Sequence, residues 1–195
     1  MRIKGEVLTR RLKLMDNGES SYRRFLDGDE NAFSEIVTAY KDSLIFFINR
    51  YVNNLAVAEE LAQDVFVELL IHKKRFNFKA SLKTYIFTIG RNLAVSYVRK
   101  CARKPECAYE FIENEQDRVM LEDEFIREEE KRELHEALGR IPEDYSTVLH
   151  LIYFEGMSNE QVCAVMKKNK KQVENIVYRA KKALRKELEK EVVLR

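Results

Sequence analysis

Two prolines and six glycines among 195 residues leave little material for tight turns. So few chain-breakers argue against a fold of many short strands and for long, uninterrupted helices. Cysteine is scarce as well. Cys101, Cys107 and Cys163 are an odd number without zinc-type spacing, and His72, His135 and His150 are scattered. Neither a disulfide framework nor a metal centre is expected from them, and Cys163 reads as a small core residue. No apolar run approaches the roughly 20 residues that would span a bilayer. The N-terminus lacks the apolar stretch of a secretory signal. The expectation is a cytoplasmic chain that does not insert into membranes. No phosphate loop, His–carboxylate pairing or nucleophile motif is visible, so no enzyme, cofactor or catalytic residue is expected.

Charge is abundant and segregated. The formal net charge is +2, yet Lys73 to Lys104 carries ten Lys or Arg residues and no Asp or Glu. Residues 106–133 sum to −8 and residues 167–195 to +7. Two basic blocks separated by an acidic one imply two separate anionic contacts. In the first block Phe76, Phe78, Tyr85, Phe87 and Tyr97 are interleaved with the charges. Lys and Arg gain from counterion release at phosphates, and exposed rings offer unstacked bases a stacking surface. That composition suits single-stranded nucleic acid; an amphipathic helix with a merely solvated basic face fits it about as well.

Periodicity organises the rest. Phe33, Ile36, Val37, Tyr40, Leu44, Phe47, Ile48 and Tyr51 recur at three and four residues, the mark of a helix with a wide apolar face. Asn53-Asn54 should break it. A second helix is expected from about Val57 to Lys74, with Ala58, Leu61, Ala62, Val65, Phe66 and Leu69 inward and Glu60, Asp64 and Glu68 on another face. Ser81 is a candidate N-cap for a third helix with Leu82, Ile86, Ile89, Leu93 and Tyr97 as its apolar stripe. Gly90 falls inside it, where only a close neighbour would justify a glycine. After Pro105 an acidic stretch reads as a linker, and Leu121–Leu138 as a further helix ended by Gly139. Pro142 opens the next, with Tyr145, Val148, Leu149, Ile152 and Tyr153 apolar, and Gly156 closes it. Ser158/Gln161 and Asn169/Gln172 both have capping-box spacing. Val162, Val165 and Met166 would pack on Val173, Ile176 and Val177, which is a helix-turn-helix pattern. Its second helix would present Lys170, Lys171, Gln172, Glu174, Asn175 and Tyr178 to base edges, with Arg179 and Lys182 behind them.

Three stretches together resemble the sigma-70 family of bacterial sigma factors, in its short extracytoplasmic-function group. They are AEELAQDVFVELL (58–70), SLKTYIFTIGRNLAVSYVRK (81–100) and LGRIPEDYSTVLHLIYFEGMSNEQVCAVMKKNKKQVENIVYRAKKAL (138–184). The resemblance implies an all-α chain of two small helical domains joined by a flexible acidic linker. They would be a basic extension at 1–24, a region 2-like domain at 25–104, a linker at 105–120 and a region 4-like helix-turn-helix domain at 121–195. It implies core RNA polymerase, promoter DNA and an anti-sigma factor as partners. Glu60, Gln63, Asp64 and Glu68 would meet polymerase. Phe76, Phe78, Lys79, Ser81, Tyr85, Arg91, Asn92 and Arg99 would meet the −10 element as it melts, with Phe76–Ser81 as the base pocket. The eight residues already named in the last helix would meet the −35 duplex. Departures from the family's pattern fall on base-reading positions: Tyr85 stands where Trp is usual, Ser96 where Asp is, Lys167 where the turn has Gly, and Gln172 where Thr is. The alternative class is a stand-alone helix-turn-helix regulator with a helical partner domain, which leaves residues 73–104 without a use.

Overall fold

The computed structural model describes residues 18–103, 134 and 136–193, and every element among them is a helix. The N-terminal unit comprises α1 (Glu19–Leu26), α2 (Glu30–Val52), α3 (Leu55–Ile71) and α4 (Leu82–Cys101). Residues 136–140 are helical, and α5 (Glu143–Leu149) runs on into a π-helical turn (His150–Phe154). Then come α6 (Asn159–Met166) and the long α7 (Lys170–Val193). The expected linker, most of the helix expected over 121–138, Cys107 and His135 lie outside the described residues.

Helix ends follow local chemistry. The Asp29 side chain accepts the Asn31 N–H at the start of α2. Asn53 ends that helix in the left-handed region (φ 50°), and the Asn54 side chain accepts the Val57 N–H to start α3. The pair breaks the chain because Asn tolerates φ > 0 at one position and caps well at the next. Ser81 Oγ accepts the Thr84 N–H and caps α4, as expected.

The buried faces of α2 and α3 match most of the periodic residues, with Phe33, Val37 and Leu61 only partly covered. In α4 the stripe is rotated. Leu82 and Ile86 are buried as expected, but the line continues through Phe87, Gly90 and Ala94 to Cys101, and Ile89, Leu93 and Tyr97 are half-buried. A Cβ at residue 90 would come within 2.8 Å of Leu44 Cδ1 and 3.4 Å of Ile48 Cδ1. The close neighbours are therefore side chains of α2, and the smallest residues of α4 face it.

The expected boundary after residue 24 runs through α1, so the first 24 residues are not a separate extension up to that point. Tyr22 is fully buried and its hydroxyl donates to the Lys73 carbonyl at 2.9 Å. Its ring meets Phe25 at 5.8 Å and Phe76 at 5.2 Å, both edge-on. Burial, with a smaller contribution from Tyr85, pushes its phenol up to about 12. Charge in this segment is basic, which hid the one aromatic anchor it contributes to the core.

The helix-turn-helix forms with both capping boxes in place. Ser158 and Gln161 bond reciprocally, and Asn169 and Gln172 do so at 2.9 Å in each direction. Val162, Val165, Met166 and Val173 are buried, with Ile176 and Val177 partly so. Lys167 occupies the turn at φ 52°. A lysine there carries the steric cost of a left-handed L-residue, roughly 1–2 kcal/mol, offset in part by the chain entropy that glycine would lose. Lys167→Gly is expected to raise stability by about 0.5–1 kcal/mol, read as a higher midpoint in chemical denaturation. A lower midpoint would show that the turn is not strained.

Candidate nucleic-acid interface

The loop before α4 is built on a stack of rings. Phe76 is 4% exposed and packs at 4.7 Å from Phe78 and 5.2 Å from Tyr85. Its ring supports the loop from below and has no face open to a base. Phe78 is half-buried with φ 59°, a backbone region that bulky residues rarely adopt. The Asn77 side chain accepts the Lys79 N–H at 3.1 Å, an Asx turn that holds Phe78 in that conformation. The Arg23 guanidinium lies 4.1 Å above the Phe78 ring. Arg23 was assigned no role from the sequence, and nothing local marks it, because α1 reaches the loop only through the tertiary fold.

From this loop the exposed side of α4 runs outward. Tyr85, Asn92 and Arg99 recur every seven residues, so they form one stripe about 21 Å long. Tyr85 is half-buried, while Asn92 and Arg99 are exposed. Burial raises the Tyr85 phenol, so it stays neutral. Arg91 turns toward the interior and is half-buried. Ser81 is occupied: beyond its capping bond, its Oγ accepts from Gln161 Nε2 of α6 at 3.0 Å.

In the second basic block Lys170, Lys171, Gln172, Glu174, Asn175, Tyr178, Arg179 and Lys182 are all exposed on α7. Tyr178 is 72% exposed. The Gln172 carbonyl is committed to the cap, which leaves only its amide N–H groups for other contacts. Lys171 and Asn175, four residues apart on the same face, are both exposed.

On α3, Glu60, Gln63 and Asp64 are exposed, while Glu68 pairs with Arg75 at 3.1 Å and with His72 at 3.6 Å. The acidic strip continues into Val67 (49% exposed) and Ile71 (65%), with Leu70 (49%) beside them. These apolar residues escaped the sequence reading because the helix's apolar count did not separate inward from outward ones. Together they leave an apolar exposed end beside three polar residues. A second apolar groove lies between the helical turn at 136–140, α5 and α7, lined by Leu138, Leu149, Tyr153, Phe154, Leu184 and Leu188, with Lys181 and Arg185 at its edge. Tyr153 was expected inside. The π turn adds a residue to the helical repeat and rotates it out to 59% exposure.

The same π turn brings together a histidine and a carboxylate that no sequence motif advertised. His150 Nε2 lies 3.4 Å from Glu155 Oε1, and Lys83 Nζ of α4 lies 2.7 Å from Glu155 Oε2. Lys83 also donates to the Glu155 carbonyl at 2.6 Å. The His150 ring sits 5.1 Å from Phe46 of α2 and 5.4 Å from Phe154. His150 is 2% exposed, and neither ring nitrogen makes a well-aligned hydrogen bond among the described residues. Burial pushes its imidazole down; Glu155 opposes this, and Arg50 and Lys83 add to it. Burial raises the Glu155 carboxyl, but His150 and Lys83 more than offset that and hold it below the usual value. The cluster has no opening for a substrate and joins the two halves of the chain.

Comparison with known proteins gives the family of the two units. The family model for sigma-70 region 2 matches residues 36–104, and that for sigma-70 region 4 matches residues 131–184. The chain is 26% identical over 172 residues to the ECF RNA polymerase sigma factor SigW of Bacillus subtilis, covering 83% of this chain and 91% of that one. It is 28% identical over 171 residues to the RNA polymerase sigma-H factor of Pseudomonas aeruginosa, covering 83% and 89%. Among solved structures, the fold is similar to that of the sigma factor RpoE in complex with the anti-sigma factor NepR from Bartonella quintana. The TM-score is 0.68 at 22% identity, covering 80% of this chain and 96% of that one. It is also similar to CnrH in complex with the cytosolic domain of CnrY, with a TM-score of 0.62 at 20% identity, covering 89% and 97%.

The buried cluster sets a pH dependence. A histidine whose pKa is depressed on folding binds its proton more readily when the contact is open. Its contribution is therefore full above the ordinary value of 6.5 and is lost as pH falls through that value toward the lower one. Glu155, also depressed, acts in the same direction below its ordinary 4.5. Thermal midpoints should fall as pH drops below about 6.5, and His150→Phe should flatten that part of the profile. An equal slope in the variant would remove His150 from the account.

Proposed function

The chain belongs to the sigma-70 family of RNA polymerase sigma factors, in its extracytoplasmic-function group, and from that premise we propose how its surfaces divide the work of promoter-specific transcription initiation. Sigma factors are regulatory DNA-binding subunits, and the α3 strip of Glu60, Gln63 and Asp64 is the surface that docks on core polymerase. Val67 and Ile71 extend it with apolar area. The recognition half of α7 holds the −35 duplex, with Lys171 and Asn175 toward base edges and Arg179 and Lys182 toward phosphates. The stripe from Phe78 through Tyr85 and Asn92 to Arg99 captures non-template bases of the −10 element as they leave the stack. Capture offsets part of an unpairing cost of a few kcal/mol per extruded base.

One observation carries the −10 assignment: a half-buried Phe78 held at positive φ by an Asx turn, at the head of an exposed aromatic-polar-basic stripe. Strained backbone at an exposed loop is kept where a side chain must be presented. Lys79 stands beside it for a phosphate. Phe76 and Ser81 serve the pocket as support and cap. A stand-alone regulator would have no use for this stripe. We extend to this chain an anti-sigma protein as a further partner, as in the RpoE–NepR complex, with the α3 strip or the α5–α7 groove as its seat.

Asp64→Lys is expected to weaken binding to core polymerase by about 2–5 kcal/mol, the range for breaking a desolvated charge contact. The fold should be unchanged because Asp64 is exposed. Titration against labelled core polymerase checks this, and unchanged affinity would move the docking surface elsewhere. Phe78→Ala or Asn92→Ala should leave closed complexes nearly intact and lower open-complex yield about ten- to a hundredfold, from a base-stacking loss of about 1–3 kcal/mol at the Phe78 ring and a base-edge hydrogen-bonding loss of about 1–3 kcal/mol at Asn92. Permanganate reactivity of −10 thymines in holoenzyme complexes measures it, with a pre-melted template as control. Normal opening by both variants would rule out the base pocket.

A further inference from the structure

The stack of rings before α4 ends on a cation. Phe76 packs on Phe78 at 4.7 Å, and the Arg23 guanidinium lies 4.1 Å above the Phe78 ring. Two neighbours fix that placement. Tyr22 is fully buried and its hydroxyl donates to the Lys73 carbonyl, so α1 is pinned against the chain just ahead of the loop and its next residue is delivered over it. The Asn77 turn holds Phe78 at φ 59°, beneath the guanidinium. The two adjacent arginines of α1 are used differently. Arg24 pairs with Asp29 and Glu35. Arg23 is exposed and pairs with no carboxylate among the described residues. A cation set on a ring for stability alone contributes little at an exposed site, and it does not call for a bulky residue in the left-handed region.

Given the −10 reading above, on which this rests, we infer that Arg23 is a further base-contacting residue of that site: its guanidinium is the outer plate on which an extruded base stacks, backed by Phe78. A guanidinium is planar, delocalised and always charged, and it is more weakly hydrated than an ammonium. Its face therefore takes a base at small desolvation cost. Splayed-out bases are held on arginine planes as well as on aromatic rings. The face of Phe78 that Arg23 covers is closed to a base, so stacking there occurs on the guanidinium or after the guanidinium has swung away. The first arrangement keeps the cation–ring contact and adds a base to it. The second gives that contact up, and the plate is favoured on that count. The plate also sets a positive charge at the mouth of the pocket before any base arrives, which attracts the strand. Phe78 and Arg23 then act on one stack, and removing either weakens it.

The test uses holoenzyme, the full chain with core polymerase, on a fork template drawn from a promoter that it transcribes. The template is duplex through −35, and its −10 non-template strand is single and fluorescein-labelled. Each −10 position is replaced in turn by an abasic site, and affinity is read by anisotropy. With the parent chain one position should stand out as base-dependent. Arg23→Ala should weaken the intact template about five- to tenfold, the lower part of the range for one stacked base, and should have no effect once that position is abasic. Arg23→Tyr, a planar side chain without charge, should restore most of the loss, whereas Arg23→Lys, a charge without a plane, should not. Recovery in the tyrosine variant separates a lost plate from a misfolded α1. Rescue by lysine, failure of tyrosine to restore binding, or a loss that persists on the abasic template would overturn the plate and leave Arg23 a charge contact. Tighter binding by Arg23→Ala would overturn it as well, since the guanidinium would then only occupy the place of the base. An abasic-sensitive parent with an unaffected Arg23→Ala would strike the plate and leave the −10 pocket standing. A parent indifferent to every abasic site would strike the pocket and the plate with it, and that result is read without any variant.

Discussion

The close approach of α2 and α4 at Gly90 decides what the chain can offer to DNA. With Leu44 and Ile48 pressed against a residue that has no side chain, α4 can rotate very little about its own axis. Its inward line is thereby Leu82, Ile86, Phe87, Gly90 and Ala94. The outward line, Tyr85, Asn92 and Arg99, follows by helical geometry alone. Any larger residue at 90 would require the Leu44 side chain to move. The loop before α4 depends on the same packing, since Phe76 can lie under Phe78 and Tyr85 only if α4 starts where it does. Tyr22, reaching in from α1, completes that floor.

Charge segregation takes its meaning from this frame. The +10 block from Lys73 to Lys104 has no acid of its own, so any neutralisation must come from another part of the chain. Glu68 supplies one such contact at Arg75, and Glu155 another at Lys83. The first is exposed and weak. The second is buried and is joined by a histidine that packs against Phe46 and Phe154. A buried carboxylate with an ammonium at 2.7 Å is held there because leaving either charge unpaired in that environment is costly. The same physics makes the contact sensitive to anything that supplies a rival charge.

The helical elements, their caps and the helix-turn-helix could be read almost directly. Asn53-Asn54, Ser81, Ser158/Gln161 and Asn169/Gln172 act over two to four residues, and a cap needs nothing more distant than that. The inward faces of α2 and α3 were legible because large aliphatic and aromatic residues dominate them. The face of α4 was legible only in part. A hydrophobic count gives Gly90 and Ala94 little weight, although both are buried and Gly90 lies close against Leu44 and Ile48 of α2. Tyr153 was misplaced for a related reason, as a single π turn shifts every later residue relative to the regular repeat.

What the amino-acid order determined by itself was therefore local: where helices begin and end, which blocks carry charge, and the order of motifs that marks the sigma-70 family. What the tertiary structure alone decided was which of those residues meet. Phe76 went under the loop and Phe78 onto it; Arg23 came from outside the expected domain to cover Phe78; and Val67 and Ile71 stayed outside. His150 and Glu155 met Lys83, more than sixty residues earlier in the chain. Such meetings depend on the rotation and spacing of whole helices. Those are set by many small packing contacts summed over the core, and no short window of sequence contains that sum.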